Sequence, residues 1–290
     1  MKNLKTVIIY ISIALTVTGM NSCEIINPEE DIPSYIKIEK IDLATDSLTE
    51  GTSSHKIVDA WVYIDDKFLG AYELPVTFPV LAESDHELIV RAGIKVNGIA
   101  ETRDKYPFFD FSTEDVTLTR DSIISVNPVV RYYNTTIFEW MEDFEGPGTT
   151  LETTANSDTT LHIVTAVTPD VLGNKSAVIY LDNTNNFFEC TTSGQYILPK
   201  GNPVFLELNY KCNITFIVGL FKNNSSQTVQ LSPSLYINPS ESWNKIYVNL
   251  TNQVKAQTDA INYEVYFAVT KNASVEYPEV YLDNIKLVHY

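Results

Sequence analysis

The stretch that decides the fold is Trp243-Asn244-Lys245-Ile246-Tyr247-Val248-Asn249-Leu250. It is rich in β-branched and aromatic residues, a composition that favours a β-strand. Similar runs follow one another after the first 34 residues. Clusters of Asn, Asp, Gly and Pro break them about every 8–12 residues, which is the pattern of β-sandwiches and barrels. No window keeps a helical apolar period, although residues 251–260 allow one short helical turn. The sequence therefore predicts an all-β chain.

Three motifs mark the second half of the chain. Phe144-Glu145 lies near the start of this half, and the predicted strand at 243–250 has the pattern Trp-x-x-apolar-x-apolar-x-Leu. Leu282-Asp283-Asn284-Ile285 lies in the last predicted strand. With these motifs, residues 136–290 resemble a galactose-binding-like jelly roll of the carbohydrate-binding-module type. The resemblance implies a β-sandwich that binds glycan and does not cleave it.

The first half carries a different set of signals. Asp65-Asp66 is flanked by apolar runs and predicts a hairpin turn, and Asn97-Gly98 is a strong type I′ turn signal. The spacing of this hairpin, Gly70 and His86 resembles a PEGA-type Ig-like module, and the resemblance implies a β-sandwich over residues 35–133. Leu74-Pro75 replaces the usual Thr-Pro of that pattern. Such modules mostly serve as spacers or interaction units, and His86 is expected to be structural.

The N-terminus predicts export. Residues 1–22 combine basic Lys2 and Lys5 with a short apolar run and end before Cys23. This layout resembles a bacterial lipoprotein signal peptide, which implies lipidation of Cys23, for example with palmitate. An ordinary secreted protein is the alternative. Residues 23–34 then form an acidic tether, which resembles the surface-export signals of outer-membrane lipoproteins.

Charge and motif content exclude several classes of function. The formal net charge of −17 repels nucleic acid. No Gly-x-Ser-x-Gly, His-Glu-x-x-His, Walker or Gly-x-Gly-x-x-Gly motif is present, and the four histidines have no metal-ligand spacing. We therefore predict a protein that is not an enzyme and requires no cofactor.

The jelly-roll resemblance also implies candidate binding residues. In that superfamily a structural calcium often joins the first and last strands, and Glu145 or Asp143 together with Asp283 are the matching carboxylates. A turn-capping role is the alternative for Asp283. Exposed aromatic side chains would stack on sugar rings, and the candidates are Trp243, Phe187, Tyr196 and Tyr236.

The same glycan site has an alternative for Trp243 and two candidate loops. A Trp that opens the strand at 243–250 also fits a purely structural packing role. The polar loops at 183–188 and 222–226 are expected at strand ends, where they could read sugar hydroxyl groups.

Covalent modifications are predicted at a few positions. Cys190 and Cys212 could form a disulfide in an oxidising compartment, and two separate buried thiols are the alternative. Asp-Ser/Thr motifs resemble bacterial O-glycosylation sites and mark Ser47, Ser122 and Thr159.

Together these features predict a non-catalytic lipoprotein that is anchored in the outer membrane, exposed at the cell surface and able to bind glycan. The alternative is an accessory or assembly subunit of an outer-membrane transport or secretion complex. That role would use an exposed apolar strip, and the aromatic run at 106–111 is the candidate, unless it packs in the core or between the modules.

Overall fold

The computed structural model describes residues 31–170 and 173–290, so the predicted signal peptide and Cys23 lie outside the described residues. Ten described strands form the N-terminal module: β1 (Ser34–Ile38), β2 (Asp42–Leu43), β3 (Asp59–Ile64), β4 (Lys67–Glu73), β5 (Val76–Val80), β6 (Ser84–Lys95), β7 (Arg103–Lys105), β8 (Phe111–Leu118), β9 (Ile123–Val126) and β10 (Val129–Val130).

The C-terminal module follows after a short connector. Its described elements are β11 (Ile137–Glu142), β12 (Leu151–Thr153), β13 (His162–Asp170), β14 (Gly173–Tyr180), β15 (Phe187–Thr192), β16 (Val204–Cys212), β17 (Phe216–Asn223), β18 (Thr228–Gln230), β19 (Leu235–Ile237), β20 (Ser240–Asn249), helix α1 (Thr251–Ala256), β21 (Asn262–Thr270) and β22 (Glu279–His289). The prediction of an all-β chain is confirmed, including the short helical segment after residue 250.

Each module is a β-sandwich. In the N-terminal module, β4, β3 and β6 form a sheet in which β7 and β8 both pair with β6, and a smaller sheet has the order β5-β1-β9. In the C-terminal module, the first sheet has the order β13-β14-β22-β16-β20 with β11 also on β22, and the second has the order β12-β15-β21-β17 with β18 and β19 on β17. The main core of this module lies between its two sheets.

The predicted turns have left-handed backbone conformations. Asp65 and Asp66 have φ of 47° and 63° and join β3 to β4, and Asn97 and Gly98 have φ of 56° and 70°. The Asn97-Gly98 turn also contacts the C-terminal module, because the N–H of Asn97 donates to the carbonyl of Tyr247 at 2.9 Å. The Oδ1 of Asn97 accepts from the N–H of Asn249 at 2.8 Å. A local turn signal therefore also fixes a contact between the modules.

Gly98 is the position in this turn where a side chain is least tolerated. Its φ is +70°, and an added Cβ would lie 3.2 Å from Cδ1 of Ile246 in the other module. We expect Gly98→Ala to lower the free energy of unfolding by about 1 kcal/mol because of backbone strain at positive φ. Gly148→Ala is the matched control, since nothing lies within 4 Å of its Cβ. If the two substitutions lowered the free energy of unfolding in urea equally, the Asn97-Gly98 turn would not require glycine at position 98.

The two modules share a buried aromatic contact. Tyr106 packs on Tyr247 and Phe205 of the C-terminal module, with ring centroids 4.7 and 5.4 Å apart. Phe108 and Phe109 are fully buried beside it. Strand β16 has a core on both sides: Leu206 and Leu208 face the sandwich interior, while Phe205 faces the first module. The run at 106–111 thus serves packing between the modules, and most of it is not an exposed strip.

A buried charged group lies at the centre of this contact. The carboxylate of Glu207 accepts hydrogen bonds from Tyr106 at 2.8 Å and Tyr132 at 2.9 Å. Nζ of Lys245 lies 3.3 Å from Oε2 of Glu207, and both side chains are at most 2% exposed. Nζ of Lys286 donates to the carbonyl of Thr52 at 2.8 Å. Glu207 has partners in both modules, and a buried charge is costly when it loses its partners. These contacts therefore favour one arrangement of the two modules.

The disulfide prediction is wrong. Cys190 and Cys212 are both buried free thiols. Cys190 lies on β15, opposite Phe267 of the second sheet, while Cys212 lies on β16 of the first sheet, opposite Val280. The alternative of two separate buried thiols therefore holds.

No described helix is long and apolar enough to cross a membrane.

Candidate functional site

An open groove of about 760 Å³ lies where the loop between β2 and β3 meets the outer face of the first C-terminal sheet. The loop contributes Ser54, His55 and Lys56, and the strands β16 and β20 contribute side chains that include Asn209 and Trp243. Its volume falls in the range of about 300–1,000 Å³ that is usual for ligand sites. Both modules therefore line this groove.

Strand alternation explains why polar residues reach this face. Asn209 pairs with Lys245 across β16 and β20, and Leu208, which precedes Asn209, lies in the sandwich core. Since successive side chains point to opposite faces, the residues on either side of a core residue face outward. A register shift between Tyr210 and Cys212 interrupts the ladder next to the groove. Such irregularities are often found next to functional sites, where they redirect side chains.

Aromatic and cationic side chains meet at one end of the groove. Trp243 is partly exposed and packs edge-to-face on Tyr281, with ring centroids 6.3 Å apart and an angle of 72°. Nζ of Lys211 lies 5.5 Å from the centroid of the Tyr281 ring, within reach of a cation–π contact. Because part of Trp243 stays open to solvent, it presents an apolar surface beside polar groups.

Amide side chains link the two sides of the groove. Oδ1 of Asn209 accepts from Oγ of Ser54 at 3.0 Å. Oδ1 of Asn244 accepts from Nζ of Lys56 at 2.5 Å, and its Nδ2 donates to the hydroxyl of Tyr210 at 2.8 Å. These hydrogen bonds hold the amides in fixed orientations, so they can present donors and acceptors to a ligand without further ordering.

A smaller pocket of about 130 Å³ adjoins the groove and shares Lys56, Asn244 and Lys245 with it. Lys95, Asn97 and Tyr236 also line this pocket. Tyr236 is 61% exposed, so its ring is accessible at the rim. The groove and the pocket together form a continuous polar surface along the junction of the modules.

Two basic groups of this surface, His55 and Lys56, have lowered pKa values. Burial lowers the pKa of His55, although Asp42 opposes the effect, and Lys245 and Lys40 lower it further. Burial and the charge of Lys95 both lower the pKa of Lys56. The site thus holds like charges close enough together to disfavour one another.

The structure brings together only part of the predicted glycan site. Trp243 lines the groove and Tyr236 lines the adjoining pocket. Phe187 begins β15 of the second sheet, and Tyr196 stacks on Trp140 at 6.2 Å and bridges to Tyr263, so both lie away from the groove. These two residues are therefore not part of the same site. The sequence could not show this, because it does not assign each strand to a sheet.

Sequence reasoning also missed residues that line the groove or flank it. Asn209, Lys211 and Tyr281 occupy outward-facing positions of strands that the sequence did predict, and Asn244 lies on β20 at the edge of the described sheet. The groove residues of the first module, 54–56, carry no motif at all. An alternating polar pattern in β16 was the one usable signal for the strand residues.

The carboxylates predicted to bind calcium are engaged in other contacts. Oε1 of Glu145 accepts from the N–H of Lys175 at 2.8 Å, and Oδ1 of Asp143 accepts from the N–H of Glu145 at 3.1 Å. Asp283 is buried, and burial raises its pKa to about 8 with further contributions from Glu145 and Asp143. Within residues 31–170 and 173–290, no three His, Cys, Asp or Glu side chains are grouped to hold a metal ion. Calcium binding stays a prediction.

The predicted O-glycosylation positions differ in accessibility. Ser47 is exposed, whereas Ser122 and Thr159 are only partly exposed. The hydroxyl of Ser122 donates to the carbonyl of Thr119 at 2.6 Å. Glycosylation of these residues also stays a prediction.

Lys286 predicts a pH dependence of stability. Burial lowers its pKa to about 7, Glu207 and Glu50 raise it, Lys245 lowers it, and the Tyr132 hydroxyl lies 3.5 Å away. An unfolded lysine titrates near pH 10.4, so between about pH 7 and 10 the unfolded chain binds the extra proton. The loss of stability caused by burying the charged Lys286 ammonium group is complete below pH 7 and becomes smaller as the pH rises.

We therefore expect the free energy of unfolding of the wild type, relative to Lys286→Met, to rise between pH 7 and 9 with a slope of up to about 1.4 kcal/mol per pH unit. Urea unfolding at several pH values measures this difference. Lys255→Met, at an exposed helix position, is the control and should show no slope. A flat difference for Lys286→Met would show that its ammonium group keeps an ordinary pKa.

Comparison with known proteins gives only distant structural similarity. No protein-family model and no curated protein matches the sequence. The enzymatically active domain of tailspike protein 4 of bacteriophage CBA120 matches with a TM-score of 0.37 and 16% identity, over 48% of this chain and 19% of the tailspike chain. A family 11 carbohydrate-binding module of a Clostridium thermocellum cellulase matches with a TM-score of 0.32 and 15% identity, over 50% of this chain and 91% of the module.

A xylan-binding domain of carbohydrate-binding module family 22 has a TM-score of 0.35 and 15% identity, over 52% of this chain and 93% of that domain. These matches each cover about half of the chain, and the similarity is too low to transfer a ligand or an activity from any of them.

Proposed function

We propose that this chain is a non-catalytic glycan-binding protein whose site is the groove between the two modules. The observation that carries the proposal is the partly exposed Trp243 beside the fixed amides of Asn209 and Asn244 in an open groove. A sugar ring has an apolar face and a polar edge. It therefore needs an aromatic surface for the first and oriented donors and acceptors for the second.

The first module is part of this site and does more than separate it from the membrane. Ser54, His55 and Lys56 form one side of the groove, and the buried contact around Tyr106 fixes them relative to β16 and β20. The alternative role in an assembly complex would need an exposed apolar strip at 106–111. Tyr106, Phe108 and Phe109 are buried there, so this observation does not favour it.

We further propose that the protein is anchored in the outer membrane through lipidated Cys23 and faces the cell surface, with a PEGA-type Ig-like first module. The support is sequence pattern alone: residues 1–34 for the anchor, and the Asp65-Asp66 hairpin with Gly70 and His86 for the module. Mass spectrometry of the N-terminal peptide from the native protein tests the anchor. A diacylglyceryl-type mass on Cys23 is expected, and an unmodified cysteine in an otherwise intact mature chain would contradict it.

A glycan array probed with the full chain tests the proposed function. We expect saturable binding to one class of glycans, and we expect the Trp243→Ala variant to lose it. Binding that is the same for both proteins would place the glycan outside the groove. The absence of binding to all glycans, by a chain that is folded by circular dichroism, would contradict the proposal.

A further inference from the structure

The groove is cationic in a strongly acidic protein. The chain has 37 Asp and Glu against 20 Lys and Arg. The groove and the adjoining pocket are nevertheless lined by Lys56, Lys95, Lys211 and Lys245, and no Asp or Glu lines either of them. Chance placement on this surface would favour carboxylates. The local charge thus opposes the charge of the chain as a whole.

The partners of these lysines show which charges are available. Lys245 is buried and paired with Glu207, so it adds little net charge, although its Nζ makes no hydrogen bond with proper geometry. Lys56 and Lys211 are exposed and have no carboxylate within 4.0 Å among the described residues. Nζ of Lys56 instead contacts the amide of Asn244, and Nζ of Lys211 lies over the Tyr281 ring.

These contacts hold the two exposed ammonium groups at the groove. Lys56 stands on the side formed by the first module, and Lys211 stands on β16 beside Trp243 and Tyr281. A ligand that stacks on the aromatic end would therefore meet an ammonium group there and a second one across the groove. An anion that binds between two exposed ammonium groups can form charge-assisted hydrogen bonds with both of them.

We infer that the groove binds an acidic glycan, a sugar chain that carries carboxylate or sulfate groups. The inference rests on the proposed function and names the chemical class of its ligand. Trp243 contacts a sugar ring, while Lys211 and Lys56 contact the acidic groups. The chain as a whole has a net charge of −17, which weakens the approach of acidic glycans to the rest of its surface.

Matched pairs of oligosaccharides test this inference on the full two-module chain. One pair is a hexamer of galacturonic acid and its methyl ester, which share a backbone but differ in charge. The second pair is a sulfated galactan oligosaccharide and its desulfated form. Isothermal titration at low and moderate salt measures each Kd, and the two pairs separate a carboxylate ligand from a sulfate ligand.

We expect the charged member of at least one pair to bind at least about tenfold more tightly than its neutral partner, with affinity falling as salt rises. Lys211→Gln and Lys56→Gln should each reduce this preference by about fivefold or more, because the affinity for the charged member falls more than the affinity for the neutral one. Lys255→Gln is the matched control, because Lys255 is exposed on α1 and does not line the groove.

The outcomes separate the two proposals. Equal affinity for charged and neutral members would overturn the acidic-glycan inference and leave glycan binding intact. Charge preference that survives both lysine substitutions would also overturn it, because the cations of the groove would not be responsible. No binding to either pair, together with an array that shows only neutral ligands, would overturn the inference as well. An array that shows no ligand would overturn the proposed function itself.

Discussion

Replacement of Trp243 by Ala should raise the Kd for the glycan by about thirtyfold or more. Buried aromatic contacts dominate binding energies, and loss of about 2 kcal/mol or more corresponds to this factor. Trp243 is half-buried against Tyr281 at 6.3 Å, so its indole keeps its position before the ligand arrives. The variant should also fold normally, because the ring lies on the outer face of the sheet and outside the main core.

Tyr277→Ala is the matched control for this result. Tyr277 is 66% exposed and does not line the groove, so its loss removes an exposed aromatic ring without touching the site. The Kd of the Tyr277→Ala variant for the glycan should stay within about twofold of the wild-type value. If Tyr277→Ala weakened binding as much as Trp243→Ala, the effect would reflect general surface hydrophobicity. If Trp243→Ala bound normally, Trp243 would have only its structural packing role.

Replacement of Tyr247 by Ala should destabilise both modules together by about 3–5 kcal/mol, the range for loss of a large buried aromatic side chain. Tyr247 is 1% exposed, packs 4.7 Å from Tyr106, and its hydroxyl accepts from the N–H of Lys56 at 3.1 Å. The substitution leaves a cavity beside the buried Glu207 and removes a contact with the loop that lines the groove.

Denaturant unfolding followed separately in each module measures this effect. Tryptophan fluorescence reports on Trp61 in the first module and on Trp140 and Trp243 in the second, so single-tryptophan variants can distinguish them. We expect one coincident transition in the wild type and a common shift in Tyr247→Ala. Two independent transitions in the wild type, of which only one moves, would contradict a shared core. Tyr277→Ala again serves as the control and should leave both signals in place.

The sequence was sufficient for the strands and the turns. The runs around 205–211, 243–250 and 279–288 form the adjacent strands β16, β20 and β22, and Asp65-Asp66 and Asn97-Gly98 turn where their residue types require it. Local composition determines these features, because β-branched residues favour strands and Asn and Gly tolerate positive φ. They could therefore be predicted without any knowledge of tertiary contacts.

The groove could not be predicted, because it depends on contacts far apart in sequence. Ser54 meets Asn209 and Lys56 meets Asn244, and no local pattern relates residues separated by 155 and 188 positions. Charged residues within apolar strands were the overlooked signal. Glu207 lies between Leu206 and Leu208 and pairs with Lys245, and the physical reason is a second layer of structure that covers the outer face of the sheet.

The aromatic candidates show the same division. Trp243 and Tyr236 lie near the groove, while Phe187 and Tyr196 lie elsewhere, although all four were plausible from residue type. Residue type indicates that an aromatic side chain could stack on a sugar. Only the sheet order decides which aromatic side chains share one surface.

Hydrogen–deuterium exchange of the full chain, with and without a saturating glycan identified on the array, tests most directly that the ligand binds between the modules. Binding in the groove should slow exchange in residues 53–56 of the first module and in residues 209–211 and 240–245 of the second. Protection on both sides is required, since both modules line the groove. Protection confined to the loops at 183–188 and 222–226, with no change at 53–56, would contradict a site between the modules.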